Sequence, residues 1–193
     1  MEKLFVKALK YMVSLCLIVF YFFILFKSTN INVPLEYKMY YLEKELTEWP
    51  GIGGFDYSLN DTLMFGEKYN DNLAKGIGTG WNRIEADGRW TQDNAKLYLK
   101  LKEKLNEDKT LKLVLGNIIP NTNVHILVNN NEIASFTPVE GRNQYEFKVP
   151  KDTFKDEILC LNLKIDNCKE IRDTNNPKKN ILAGIFVESI SIS

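Results

Sequence analysis

From Thr62 onward, apolar and polar side chains alternate with a period of two. Ala95, Leu97, Leu99 and Leu101 alternate with Lys96, Tyr98, Lys100 and Lys102. The same pattern recurs in Leu111-Leu113-Leu115, Val124-Ile126-Val128, Tyr145-Phe147-Val149 and Leu159-Leu161-Leu163-Ile165. A last run places Ile185, Val187, Ser189 and Ser191 opposite Phe186, Glu188, Ile190 and Ile192. Successive side chains of a strand point to opposite faces, so each run predicts a strand with one apolar face. Turn residues separate the runs at Asn106-Glu107-Asp108, Pro120-Asn121, Asn129-Asn130-Asn131, Glu140-Gly141-Arg142-Asn143 and Asn175-Asn176-Pro177. Asn tolerates positive φ, so the triple asparagine predicts a tight hairpin. Lys169 to Lys179 reads as the longest polar loop. Many short strands with regular turns predict a mainly β fold: an antiparallel β-sandwich over residues 56–193, jelly-roll-like in its class.

The first third is of another kind. Tyr11 to Phe26 carries no charge, and Ser14 is its one clearly polar side chain. Leu4, Phe5, Val6, Ala8 and Leu9 extend the apolar run backwards between Lys7 and Lys10. A helix crossing hydrocarbon needs about 20 residues, and flanking lysines can reach to the interface. The sequence predicts a short cytoplasmic N-terminus over 1–10 and a transmembrane signal-anchor helix over 11–27, with an alternative start near residue 4. Lys3, Lys7 and Lys10 precede the run and Lys27 follows it. That bias sets the N-terminus in the cytoplasm and the C-terminal domain outside it. No small-x-small cleavage site follows Phe26, which argues against a removed signal peptide. At Cys16 a lipoprotein site fails as well, because Leu15 occupies a position that must be small and the apolar run continues past the cysteine.

Residues 28–55 read as a stalk. Pro34 can open a helix. Leu35, Met39, Leu42, Leu46 and Trp49 then recur at spacings of four and three, one apolar stripe on an amphipathic helix over 35–49. Pro50-Gly51 ends it. Such a stripe packs on its own domain, lies at a membrane surface, or pairs with a partner's helix.

Charge divides along the same line. Residues 1–27 hold four lysines against one glutamate, and the remainder holds 21 basic and 24 acidic residues. A mildly acidic body argues against a nucleic-acid partner, which needs a concentrated basic surface. Cys160 and Cys168 are expected as free thiols, since a strand running to Ile165 leaves too short a return for a disulfide.

Gly80-Trp81-Asn82-Arg83-Ile84-Glu85-Ala86-Asp87-Gly88-Arg89-Trp90-Thr91 holds two of the three tryptophans. Two accounts of it stand side by side. In one, Trp81 and Trp90 offer flat faces to a sugar while Glu85, Asp87 and Arg89 hydrogen-bond its hydroxyls, a candidate carbohydrate site. In the other, the tryptophans are core and Glu85 pairs with Arg89 to hold a turn or cross two strands.

Gly80-Trp81, Glu85, Gly88-Arg89-Trp90-Thr91 and the alternating strand after them resemble a known pattern. It is that of the β-sandwich domains at the C-terminal ends of bacterial membrane-bound glycosyltransferases. Similar domains accompany sulfatase-fold enzymes of envelope phosphoglycerol transfer. The hairpin Val124 to Asn129 and the segment Leu182-Ala183-Gly184-Ile185 fit the same pattern, and the resemblance covers about Asp61 to Ile192. It implies a sandwich fold, an envelope setting and a saccharide connection. This chain departs from the family in having one apolar span and no catalytic domain, so no activity carries over.

Other chemistry is sparse. His125 is the single histidine, and with three scattered cysteines it cannot build a structural zinc site. No nucleophile elbow, phosphate-binding glycine loop or dinucleotide fingerprint is present. Glu85 and Asp87 would lie about 7 Å apart on one strand face, a weak glycosidase pair. The expectation is therefore a non-enzymatic chain without metal or cofactor, an accessory or carbohydrate-binding module in cell-envelope glycan assembly. Its partners would be a membrane, a glycan and a membrane-bound glycosyltransferase or other envelope protein. The alternative is a scaffold that recruits a membrane partner through its span and stalk. A glycan-acting hydrolase using Glu85 is the third reading.

Overall fold

The computed structural model describes residues 2–29, 33–103, 105–154, 157–174 and 176–193. It divides into two compact units, residues 1–35 and 36–193. The first contains α1 (Glu2–Thr29). Within it, Leu9–Ser28 is a 20-residue stretch of mean hydropathy 2.3, long and apolar enough to cross a membrane.

The second unit is a sandwich of two larger sheets. One has the order β1 (Asp56–Tyr57), β5 (Asn94–Leu101), β10 (Ile158–Asp166), β7 (Asn123–Val128), β8 (Asn131–Phe136). The other runs β3 (Trp81–Ile84), β4 (Arg89–Thr91), β13 (Ile185–Ile192), β6 (Lys109–Ile118), β9 (Asn143–Val149), with β2 (Thr62–Met64) also on β13. All pairings are antiparallel except β1 with β5. The two four-strand paths 5-10-7-8 and 4-13-6-9 interleave in the jelly-roll manner, with successive strands mostly changing sheet.

The alternation seen in the sequence fills the space between the sheets. Leu97, Leu99, Ile126, Leu161 and Leu163 of one sheet meet Leu111, Leu113, Ile190 and Ile192 of the other in a single buried cluster. Each fully buried aliphatic side chain contributes about 1.5–3 kcal/mol relative to exposure. Asn129 and Asn130 take φ of 48° and 65° between β7 and β8, the paired left-handed conformation that a two-residue hairpin requires. Among the described residues all three cysteines are free.

The structure corrects the sequence reading in four places. The helix expected over 35–49 is Leu35–Tyr37 followed by a π-helical turn, Lys38–Leu42. The amide of Glu43 donates to the carbonyl of Lys38 and that of Glu45 to Met39, both at 2.9 Å, and Lys44 turns to φ 59°. The predicted stripe is thereby split: Met39 and Leu46 are buried, whereas Leu42 and Trp49 are exposed. Nor is the segment after residue 35 a free stalk. Its end is tied to the sandwich, where the Thr47 amide donates to the Ile77 carbonyl at 2.9 Å and Phe55 is buried. Third, the loop expected over Lys169–Lys179 begins as β11 (Lys169–Arg172), which pairs with β12 (Asn180–Ala183). Ile171 and Ile181 of this hairpin pack on Trp90, Ile119, Ala183 and Phe186. Asn175, from the expected turn Asn175-Asn176-Pro177, lies outside the described residues.

The fourth correction concerns β13, whose faces are not divided as simple alternation predicts. Register shifts between Ile185 and Val187 and between Val187 and Ser189 change the phase. Ile185, Val187, Ile190 and Ile192 join the core, while Ser189 and Ser191 fall on the outer face.

Candidate functional site

Each indole of the tryptophan stretch is 8% exposed. Trp81 stacks on Phe65 with ring centroids 4.7 Å apart, and its Nε1 donates to the Lys96 carbonyl at 2.7 Å. Trp90 meets Phe186 edge to face at 5.3 Å within the satellite cluster that the β11–β12 hairpin joins. Neither ring presents a face to a ligand; both are core, with the polar edge of Trp81 satisfied internally.

Two glycines make this placement possible. Gly80 has φ 84°, and a Cβ there would lie 1.8 Å from the Asn94 carbonyl oxygen. A Cβ on Gly88 would lie 2.4 Å from the Val187 carbonyl oxygen. The Gly-Trp and Gly-Arg-Trp elements are therefore close-approach points of the fold.

The charged residues of the stretch do not converge. Arg89 is buried, and its Nη2 donates to Glu48 Oε1 at 2.7 Å while its Nε donates to the Asn82 carbonyl. Its ion-pair partner is thus Glu48 and not Glu85, as the sequence had suggested. Glu85 lies in the turn between β3 and β4, where its amide donates to the Gly88 carbonyl and its carbonyl accepts from the Glu67 amide, each at 2.9 Å. Asp87 is exposed at the same turn and pairs with Lys68. The two carboxylates consequently do not share a strand face, which removes the geometry of the glycosidase reading.

Another surface gathers polar groups with regular spacing. On the outer face of the second sheet, Ser189 of β13 lies opposite Val114 of β6 and Met64 of β2, and Ser191 opposite Lys112 and Thr62. Gln144 of β9 is next to Val114. Thr62, Lys112, Val114, Gln144, Ser189 and Ser191, together with Asn60 and Ser193, line a half-open depression of about 380 Å³. Hydroxyl and primary amide groups both donate and accept hydrogen bonds, so such a row can meet a polyhydroxylated ligand in either sense. Sequence reasoning missed this face because it assigned Ser189 and Ser191 to the side of Ile185 and Val187. The available signal was the phase change itself: apolar residues stand at odd positions through Val187 and at even positions from Ile190.

On the first sheet, His125 Nδ1 lies 3.2 Å from Glu132 and its Nε2 3.2 Å from Asp166. The hydrogen bond to Glu132 raises its pKa above the ordinary value, against an opposing desolvation and with further help from Asp166. Among the described residues no group of three or more His, Cys, Asp or Glu side chains is placed to hold a metal ion.

No family model matches the sequence, and no curated protein matches it. Among solved structures the chain is similar to a family 35 carbohydrate binding module from an environmental isolate. The identity is 12% and the TM-score 0.36, over 68% of this chain and 81% of that one. It is also similar to a CBM35 from Paenibacillus barcinonensis, at 14% identity and a TM-score of 0.34, over 70% of this chain and 90% of that one. At these values the likeness assigns neither a family nor a ligand.

Proposed function

We propose that this is a single-pass membrane protein whose jelly-roll body stands outside the cytoplasm and binds a saccharide of the cell envelope without turning it over. Anchorage is supported by the 20-residue apolar stretch Leu9–Ser28 of α1, with its mean hydropathy of 2.3. The lysine bias around it supports the orientation. The resemblance noted in the sequence supports the envelope setting, beside a glycosyltransferase or a related assembly enzyme.

The observation that carries the binding reading is the hydroxyl and amide row on the second sheet. Thr62, Ser191 and Gln144 stand on paired strands, with the nearly buried Ser189 beside them, so their spacing is fixed before any ligand arrives. The depression is half-open and extends across β2, β13, β6 and β9, which leaves room for the side of a polymer. Among the described residues its lining side chains are hydroxyls, amides, Lys112 and Val114, and the neighbouring carboxylate, Glu146, is already engaged by Gln144 at 3.0 Å and Lys112 at 3.5 Å.

The test is an array of envelope saccharides probed with the full chain in detergent micelles. Ser191→Arg and Gln144→Ala should each weaken the captured saccharide at least about tenfold, or ~1.4 kcal/mol, with the thermal midpoint unchanged. Saccharide capture that both variants leave intact would exclude this face, and release of a shortened product would exclude the non-catalytic reading.

A further inference from the structure

One exposed surface is left unused by that function. Tyr37, Tyr40, Tyr41 and Trp49 contact one another: Tyr37 and Tyr41 at 4.6 Å between centroids, Tyr40 and Tyr41 at 4.8 Å, Tyr41 and Trp49 at 5.5 Å. Tyr37, Tyr41 and Trp49 are each more than 40% exposed. Leu42 and Ile52 of the same segment are 63% and 80% exposed. The core contacts of this segment are made instead by Met39, Leu46 and Phe55. An aromatic and aliphatic surface left in water within a folded unit calls for an occupant.

We infer that the occupant is the interfacial layer of the bilayer that holds α1, into which these rings dip. Three observations favour lipid. Ser28 and Tyr37 are nine residues apart. Whatever path the chain takes, nine residues span at most about 30 Å, so the aromatic surface stays within reach of the headgroups. Tyrosine and tryptophan are the side chains that concentrate at membrane–water boundaries, where an apolar ring and a polar tip are both satisfied. Leu42 and Ile52 have nothing to offer a sugar hydroxyl but suit acyl chain.

The charges of the segment show what kind of docking this is. Glu36 accepts from the Gly53 amide at 2.9 Å, Glu45 is held by Lys96 and Tyr98, Glu48 by Arg89, and Glu43 by Lys38. Among the described residues of this segment the basic side chains are Lys38, paired with Glu43, and the exposed Lys44, against four glutamates, which is no basic cluster to seek anionic lipid. Ring insertion therefore drives the contact, and it persists in neutral phosphatidylcholine and at high salt.

The inference rests on the anchored reading of α1, and the experiment separates the two. The full chain is reconstituted into phosphatidylcholine vesicles containing lipid brominated near the top of its acyl chains. Trp81 and Trp90 are buried, so the accessible emission belongs to Trp49. Docking predicts that the bromolipid quenches this component, that aqueous iodide does not, and that Trp49→Phe removes the quenched component. Tyr41→Ser and Ile52→Asn, both at exposed positions, should return Trp49 to iodide. Retention of the chain after alkaline carbonate reports α1 alone. A retained chain whose Trp49 is open to iodide and untouched by bromolipid overturns the docking but leaves the anchor. A chain released by carbonate overturns both. Trp49 shielded only when saccharide is added would assign the surface to a glycan and overturn the inference as well.

Discussion

Trp81 and Trp90 act through what surrounds them. Each is enclosed by aromatic or aliphatic neighbours, and truncation would leave a cavity that β-strands cannot collapse to fill. Trp81→Ala and Trp90→Ala should each cost about 3–5 kcal/mol of stability, measured by denaturant unfolding, while the folded fraction keeps its saccharide affinity. Selective loss of affinity at unchanged stability would restore them as a platform. The sequence supplied the residues and their dense packing but not their direction, because an aromatic beside a glycine serves equally as a lid or a wall. His125 was legible as a residue of the polar strand face, while its carboxylate neighbours come from β8 and from the end of β10. Its raised pKa means that charged His125 stabilises the fold below the ordinary value of 6.5, and that this contribution fades as pH climbs through the raised value. An NMR titration should place its inflection above 6.5, and Glu132→Gln should lower it; a wild-type inflection at or below 6.5 would contradict the arrangement.

The elements differ in how plainly they could be read. The strands β5, β6, β7, β9 and β10 follow alternation because each has one face on the core, and the register then fixes itself. The strands β3, β4, β11 and β12, each four residues or fewer, carried no such signal; their positions are set by tertiary contacts. Gly80 is the junction where the chain passes the start of β5. Gly80→Ala should cost about 1–2 kcal/mol for its left-handed backbone and about 1–3 kcal/mol more for the collision with Asn94. Gly141→Ala shares the positive φ but meets nothing within 4 Å, and should show only the first penalty. Equal losses in thermal unfolding would contradict the close approach. Glu45 fastens the segment before Phe55. The Tyr98 hydroxyl bond lowers its pKa against the opposing desolvation, and Lys96 lowers it further. A lowered carboxyl pKa gives stability that is present above the ordinary value and lost as pH falls through the lowered one. Amide exchange at Thr47 should therefore accelerate selectively on acidification, after correction for intrinsic rates, and Glu45→Gln should give the same loosening at neutral pH. Protection of Thr47 that is indifferent to both changes would show that Glu45 does not hold this segment.

The chain as a whole joins an apolar helix with no cover of its own to a body with a closed core. Both parts were legible: hydropathy for the helix, period-two alternation for the sandwich. The order of strands within the sheets was not, since alternation reports a face and not a neighbour. The proposed binding row was hidden for a related reason, as it appears only once the shifted register of β13 places Ser189 and Ser191 beside residues of β2, β6 and β9. The central claim is that the helix remains in the membrane and holds the body on its far side. Protease added to intact cells producing the full chain addresses it most directly. The account predicts that the body is digested without lysis, leaving a membrane-embedded fragment that still begins at Met1. A body protected until the cells are lysed, or a mature chain starting beyond Ser28 in the soluble fraction, would contradict it.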